Sequence, residues 1–244
     1  MGDSLTVNLN SLVADLDADG LNLCHRFSVD YLADSMPNLS LPAKSCELLL
    51  IGNYGNALWQ AMPAACLSRP HPVDSFTTDC VTRALEKQVA KDSWSLLFPH
   101  TPDDINLSLQ QLGALAGWHH PSPLGIGINK NLGLWFAYRA VVVLNVQLNE
   151  SPPVRRPWSE ESPCIACEYT PCVTACPASA LTSDKSPDLT ACVNHRITSE
   201  SSCASTCLAR VACPVAPQWQ YQSEQLAYFY ERSLPSLKQW VASG

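Results

Sequence analysis

Apolar runs bounded by turn residues predict three strands in the first 150 residues. The segment ELLLIGNYGNALW, which begins at Glu47, runs into Gly52 and Gly55 and indicates a buried strand that ends in a tight turn. SWSLLFP, from Ser93, predicts a short strand. LWFAYRAVVVLNVQL, at 134–148, is mostly β-branched or aromatic and predicts a long strand that is buried on both faces.

Helical spacing of apolar residues occurs between these strands and again near the C-terminus. SFTTDCVTRALEKQVA, at 75–90, predicts a helix with Asp74 or Ser75 as its cap. INLSLQQLGALAG, at 105–117, predicts a second helix, and YQSEQLAYFYERSLPSLKQW, at 221–240, a short amphipathic one. Strands and helices in this order indicate an α/β fold.

The chain divides by composition into three parts. The stretch NESPPVRRPWSEESP, at 149–163, is rich in proline and charge, has no periodicity and is typical of a linker. We therefore expect an α/β domain at 1–155, a cysteine-rich module at 156–217 and a C-terminal helical segment at 218–244. The last segment is expected to pack back on the first domain.

Composition and charge narrow the function classes. Hydrophobic residues make up 46% of the chain and charged residues 15%, which is typical of a globular protein. The net charge of −7 argues against nucleic-acid binding, which needs a dense basic surface. The N-terminus lacks the apolar run of a secretory signal, and no stretch approaches the ~20 apolar residues of a membrane span, so we expect a cytoplasmic protein.

Twelve cysteines in a reducing compartment indicate metal rather than disulfides. Four of them are scattered over the first third and are interpreted as small buried side chains: Cys24, Cys46, Cys66 and Cys80. The other eight fall between 164 and 213. The segment SPCIACEYTPCVTACPASAL, at 162–181, is similar to a 4Fe–4S ferredoxin loop, although its spacing is two, four and three rather than two, two and three.

The two cysteines that directly precede a proline decide how the eight divide into two sets of four. In two-cluster ferredoxins the fourth cysteine of such a run ligates the other cluster. Cys176 precedes Pro177, and Cys213 precedes Pro214, so each would cross to the other set. The predicted first cluster then takes Cys164, Cys167, Cys172 and Cys213, and the second takes Cys176, Cys192, Cys203 and Cys207.

Three alternatives to two clusters remain open at this point. Four thiolates can hold a structural zinc ion, although zinc does not need the Cys-Pro pairs. The first four cysteines could ligate a single cluster by themselves, and disulfides are the third alternative. Two 4Fe–4S clusters are favoured because they use all eight cysteines.

Two resemblances to known families concern one cofactor. The segments SPLGIGINKNLGLWFAYRAVVVL and YQSEQLAYFYERSLPSLKQ resemble the CblC (MMACHC-like) cobalamin-processing proteins. The matching residues are Gly125, Gly133, Trp135, Phe136, Ala137 and Arg139, with Ser223, Glu224, Gln225, Ala227, Tyr228 and Phe229 in the tail. The order of the eight cysteines is similar to that of the cobalamin-dependent epoxyqueuosine reductases, and together the resemblances cover about half the chain.

The resemblance to CblC implies a nitroreductase-like fold that binds cobalamin with its lower base detached. It implies a corrinoid site with backbone entry at Gly125, Gly127 and Gly133, and contacts from Asn129, Trp135 and Arg139. Asn129 takes the place of a CblC histidine. Glycines at this entry suit a flat macrocycle, which needs backbone free of side chains.

Tyr138 and His119 are the candidate proton donors if the corrinoid acts as a catalyst. Each site residue also has a purely structural interpretation. Trp135 and Tyr138 can be core side chains, Arg139 can form an ion pair, and His119 can lie in a surface loop. His195, Arg196 and Arg210 could assist the second cluster by hydrogen bonding or charge.

These features predict an oxidoreductase that passes electrons from two clusters to the cobalt of a base-off cobalamin. It would remove an upper ligand or prepare the metal for further chemistry. An electron donor such as a flavodoxin, a ferredoxin or a reductase would be its partner. Two alternatives are a ferredoxin-type carrier that binds no corrinoid and an epoxyqueuosine reductase that acts on tRNA.

Overall fold

The structure, a computed structural model, describes residues 8–103, 105–148, 161–184 and 186–243. Its contacts form two compact units. The first holds the described residues up to Ala116 and from Phe136 to 148, and the second holds Gly117–Trp135 and those from 161 on. The predicted division placed 117–135 in the first domain, and the packing of the C-terminal segment on that domain stays a prediction. The predicted boundary at 155 lies outside the described residues.

A four-stranded antiparallel sheet forms the centre of the first unit. Its strands are β1 (Leu23–Ser28), β2 (Glu47–Tyr54), β3 (Trp94–Phe98) and β4 (Phe136–Leu144), in the order β1-β2-β4-β3. The two central strands pair with Leu50 opposite Val141, and a bulge interrupts their register between Ile51 and Gly52. Strand β2 is buried up to Asn53, and β4 is buried at Phe136 and from Ala140 on, whereas 137–139 are partly exposed.

Five helices belong to the first unit, and short polar caps begin three of them. They are α1 (Leu9–Ala18), α2 (Val29–Ser35), α3 (Ala57–Ala61), α4 (Pro72–Glu86) and α5 (Leu109–Leu115), with 3₁₀ turns at Ala64–Ser68 and Lys91–Ser93. Asn8, Ser28 and Ser108 each accept a backbone N–H of the first turn of α1, α2 and α5. Helices α1 and α4 pack together, and α4 also packs on β4.

Two predicted element boundaries are wrong. Helix α4 begins at Pro72 after His71, not at the predicted cap of Asp74 or Ser75, because proline suits the first helical position. The long strand predicted at 134–148 extends only over β4. Trp135 instead closes a turn in which its N–H donates to the carbonyl of Leu132.

The second unit consists of short helices and loops around the cysteines. Its helices are α6 (Pro171–Thr174), α7 (Leu189–Ile197), α8 (Leu208–Val211) and α9 (Ser223–Ser243), with a 3₁₀ turn at Pro217–Trp219. Helix α9 is longer than predicted and continues through Pro235. Its described contacts within this unit include α7. No helix in the described ranges is both long and apolar enough to cross a membrane.

Candidate functional site

Four cysteines of the second unit line one cavity, and they are the predicted first ligand set. Cys164 and Cys167 come from the loop that leads into α6, Cys172 lies on α6, and Cys213 follows α8. The rest of the lining is mostly apolar side chains and prolines: Pro123, Leu124, Ile128, Leu134, Pro163, Pro171, Pro214 and Val215. The chain thus brings Cys213 to the first loop, as the Cys-Pro rule requires.

The thiols of this group are close enough to act on one another. Burial, followed by the nearby Cys213 and Cys164, raises the pKa of Cys172. Burial is also the main cause that raises the pKa of Cys213, with Cys164 and Cys167 adding to it and the N–H of Val215 opposing it. Cys172 and Cys213 are buried, and Cys164 and Cys167 are partly buried. Thiols that converge in this way lose their protons most readily to a metal, because a bound cation deprotonates its thiol ligands.

The other four cysteines meet around Cys192, which lies on α7. Burial raises the pKa of Cys192, and the neighbouring Cys207, Cys176 and Cys203 contribute, while Arg196 opposes them. This is the predicted second set, with Cys176 crossing over from the first loop. Among the described residues, Cys213 is therefore a neighbour of the first three cysteines, and Cys176 is a neighbour of Cys192, Cys203 and Cys207. This is the crossed grouping and not the order of the sequence.

The two groups share an apolar core. Cys172 of the first group packs with Leu181 and Ala209, and Cys176 and Cys207 of the second group pack against the same residues. Neighbouring centres separated by packed side chains suit the transfer of single electrons. The arrangement therefore has the layout of a two-centre electron path.

Each group offers four cysteine thiols, which is the donor set of a 4Fe–4S cluster. Within the described residues, no three His, Cys, Asp or Glu side chains stand where they could hold a single metal ion together. In a 4Fe–4S cubane each thiolate binds a different iron, so four sulfurs surround the cluster rather than one point. The donor set of four cysteines around an apolar cavity fits such a cluster, and ligation itself stays a prediction.

The loop 117–135 holds most of the predicted corrinoid contacts, and it is ordered by its own hydrogen bonds. Asn129 is fully buried, and its amide Nδ2 donates to the carbonyl of Gly117 at 3.0 Å. Its Oδ1 accepts the N–H of Asn131 at 2.8 Å, and its backbone pairs with Gly133. Hydrogen bonds within the loop thus satisfy the buried amide of Asn129. The contact of Asn129 with a corrinoid stays a prediction.

The three glycines of this loop that were predicted at the corrinoid entry each have a close neighbour within the second unit. A Cβ on Gly127 would lie 2.4 Å from Nδ1 of His119, and one on Gly125 would lie 2.9 Å from Cγ of Pro187. At Gly133 a Cβ would lie 2.2 Å from the carbonyl oxygen of Val215. Packing thus gives a reason for glycine at all three positions that does not involve a macrocycle. Their role in cofactor entry remains a prediction.

Trp135 lies in the second unit, whereas Tyr138 and Arg139 lie on β4 of the first. Trp135 is fully buried against Tyr221 and Leu226. Arg139 donates through Nε to Oδ1 of the buried Asn53 at 2.6 Å, so its observed partner is an amide.

Of the two candidate proton donors, Tyr138 keeps its proton more firmly. Burial raises the pKa of Tyr138 well above its usual range, so it is a neutral hydroxyl over the physiological range. Burial, followed by the charge of His120, lowers the pKa of His119, which leaves a neutral imidazole. Both shifts move the pKa away from neutral pH, where a general acid works best, and the role of each residue as proton donor stays a prediction.

Gly113 fixes the position of the Tyr138 hydroxyl and provides a test of it. A Cβ at Gly113 would fall within 1.8 Å of Oη of Tyr138, so Gly113→Ala must displace the ring. We expect this variant to fold and to abolish any activity that uses Tyr138 as strongly as Tyr138→Phe does. Steady-state rates of both variants check this, and wild-type activity in Gly113→Ala would remove Tyr138 from the proposed chemistry.

Three residues beside the second cysteine group have defined roles in the structure. Arg196 donates to the carbonyl oxygens of Cys203 and Tyr230, and Arg210 lies between the rings of Trp135 and Tyr221. His195 lies 3.5 Å from the hydroxyl of Ser202, and its hydrogen bond to a cluster sulfur stays a prediction. Tyr230, which Arg196 contacts, is not among the residues predicted from the sequence. Its only sequence signal is its place in the aromatic run Tyr228-Phe229-Tyr230.

Comparison with known proteins rests on structure. No protein-family model matches the sequence, and no curated protein matches it. The epoxyqueuosine reductase from Streptococcus thermophilus superposes with a TM-score of 0.51 at 14% identity, over 84% of this chain and 65% of that one. An epoxyqueuosine reductase solved with a modified tRNA-Tyr stem loop gives a TM-score of 0.51 at 14% identity, over 88% and 67%.

The B12-trafficking protein CblC from C. elegans, a human MMACHC homologue, superposes over nearly its whole length. Its TM-score is 0.51 at 15% identity, over 94% of this chain and 96% of that one. The chain has the fold shared by epoxyqueuosine reductases and CblC. Both families named by resemblance are thus matched by fold. The chain spans about two thirds of the epoxyqueuosine reductases.

Proposed function

We propose that this protein is an iron–sulfur-dependent corrinoid reductase whose substrate is a cobalamin with its lower base detached. The observation that carries the proposal is the crossed grouping of eight cysteines into two sets of four, within a chain that has the fold of CblC. Four-iron clusters, when bound, supply transfer of single electrons.

The residues of the chain have separate tasks in this proposal. Cys164, Cys167, Cys172 and Cys213 would hold one cluster, and Cys176, Cys192, Cys203 and Cys207 the other. The apolar core around Leu181 and Ala209 keeps the two centres adjacent and excludes water between them. The loop 117–135, with Arg139, is the proposed corrinoid site, and Tyr138 the proposed proton donor.

The reaction balances as transfer of single electrons. Clusters held by these cysteines would supply single electrons, and the cobalt of the substrate would accept them one at a time. As cobalt gains electrons it binds its upper ligand more weakly, so a ligand such as cyanide departs with its bonding pair. An external one-electron donor of the flavodoxin or ferredoxin class restores the clusters.

Titration with cobalamin tests whether this chain binds the substrate. The full chain, produced anaerobically and loaded with iron and sulfide, is titrated with hydroxocobalamin while its visible spectrum is recorded. We expect the spectral shift of a base-off corrinoid, with a saturating ratio of about one per chain. Arg139→Met is expected to weaken this binding, with Arg83→Met, a half-exposed arginine of α4 paired with Asp19, as the control.

The outcomes of this titration distinguish the function classes. A loaded protein without a spectral shift would leave a ferredoxin-type carrier and contradict the corrinoid proposal. Because one structural relative was solved with a tRNA stem loop, the same preparation is tested for a salt-dependent mobility shift of tRNA. Tight tRNA binding without cobalamin turnover would favour the epoxyqueuosine reductase alternative and overturn the predicted absence of nucleic acid.

A further inference from the structure

Arg210 lies on α8, the short helix that separates two of the predicted cluster ligands. Helix α8 begins directly after Cys207 and ends two residues before Cys213. The carbonyl oxygen of Arg210 accepts the N–H of Cys213 at 3.3 Å. The backbone of Arg210 is therefore hydrogen-bonded to a cysteine of the first group.

The side chain of Arg210 contacts the end of the loop 117–135. Its Nη2 donates to the carbonyl oxygen of Leu134 at 2.5 Å. Its guanidinium carbon lies 4.7 Å from the ring centre of Trp135 and 4.9 Å from that of Tyr221. A guanidinium that is held by a hydrogen bond and by two aromatic rings has a fixed position. The side chain thus fixes the end of this loop to α8.

Leu134 forms part of the wall of the cavity that the first cysteine group lines. It is 1% exposed and packs with Ile128 and Cys213 in one apolar cluster, against which Cys164 also packs. Apolar side chains in contact with these cysteines offer water no hydrogen-bonding partner on this side of the cavity. The end of the loop therefore closes one side of the cavity with a dry wall.

Hydrogen bonds within the loop 117–135 order it without attaching its end to α8. The backbones of Asn129 and Gly133 pair with each other, for example. The carbonyl of Leu134 instead accepts from Arg210, which belongs to a different segment of the chain. A hydrogen bond from a charged donor is about twice as strong as one between neutral groups. Arg210 therefore supplies a strong attachment between the dry wall and the helix that leads to the first group.

We propose that Arg210 is a positioning residue that holds Leu134 against the first cluster and keeps water out of that side of its cavity. The apolar shell around a metal centre controls the access of solvent to it. When Arg210 no longer binds the Leu134 carbonyl, the wall loosens, and water and small chelators reach the cluster. This inference rests on the first ligand set of the proposed function and does not depend on the corrinoid.

Pulsed electron paramagnetic resonance in D₂O tests this inference by detecting exchangeable deuterons beside the reduced cluster. The full chain is loaded with iron and sulfide and reduced anaerobically, with Cys203→Ala as the background so that the signal comes from the first cluster. We expect Arg210→Gln to strengthen the deuterium signal and to release iron to a chelator about tenfold faster. Arg210→Lys, which keeps a charged donor, should restore part of the wild-type behaviour.

Leu134→Ala opens the same wall without changing a charge, so it carries the test even if Arg210→Gln fails to fold. Arg232→Gln is the matched control, because Arg232 also lies over an aromatic ring, that of Tyr228 at 5.7 Å, but is exposed on α9. A folded Arg210→Gln or Leu134→Ala protein with the wild-type deuterium signal and iron release would overturn the inference alone. Iron and sulfide are counted first, and an absence of clusters in the wild type would instead contradict the proposed function.

Discussion

Cys213→Ala is expected to remove the same cluster as Cys164→Ala, although 49 residues separate the two cysteines. Each variant should retain about four of about eight irons, because only one cubane loses a ligand. The physical reason is the shared cavity, which Cys213 lines together with Cys164, Cys167 and Cys172. By the same argument, Cys176→Ala should match Cys192→Ala. Iron and sulfide analysis with the resonance spectrum of the remaining cluster checks both pairs.

Double variants test which cysteines bind the same cluster. The protein with both Cys164→Ala and Cys213→Ala should still hold about four irons, whereas Cys213→Ala with Cys203→Ala should hold none. Cys66→Ala, which removes a half-buried cysteine of the first unit, should keep the full complement and serves as the control. If Cys164→Ala and Cys176→Ala instead removed the same cluster, the crossed pairing would be wrong. The chain would then bind its clusters in sequence order.

Gly133→Ala is expected to cause a large loss of stability, centred on the first cluster. Gly133 has φ +61°, and left-handed backbone costs an alanine about 1–2 kcal/mol. The new Cβ would also lie 2.2 Å from the carbonyl oxygen of Val215, a backbone atom that must move. Because Val215 is two residues from Cys213, this movement reaches a cluster ligand. We expect a lower thermal midpoint together with loss of iron from the first cluster only.

Gly125→Ala is the matched control for this variant. Its φ of +70° carries the same backbone cost, but its Cβ would meet the side chain of Pro187 at 2.9 Å instead of backbone. We therefore expect a smaller fall in the thermal midpoint and full iron content. A Gly133→Ala protein with wild-type stability and iron, but no spectral shift with cobalamin, would reverse the interpretation. It would show that Gly133 serves the corrinoid and not the packing on Val215.

The elements that the sequence predicts well are those with strong local patterns. Leu48–Ile51 and Ala140–Leu144 are continuous apolar runs, and such runs can be buried only in central strands. The crossed grouping of the cysteines was also predictable, because Cys176 and Cys213 both precede proline and no cysteine of the module is left over. That prediction rests on residue types and their order in the sequence, not on hydrophobic periodicity.

The elements that the sequence does not predict depend on contacts between distant residues. Leu134 and Trp135 continue an apolar run and so resemble a strand, yet Arg210 binds the carbonyl of one and stacks on the ring of the other. This contact assigns the end of the loop 117–135 to the cysteine-containing unit. Tyr230 was missed for the same reason, since its partners Arg210 and Cys207 are identified only once the chain is folded.

The central claim is that electrons held on this chain reduce cobalamin, and a single-turnover experiment tests it most directly. The loaded protein is reduced anaerobically, freed of reductant, and mixed with hydroxocobalamin while the cluster and corrinoid absorbances are followed together. The account predicts that the clusters reoxidise at the rate at which cobalamin is reduced, with up to two electrons delivered per chain. Clusters that stay reduced beside unchanged cobalamin would contradict it.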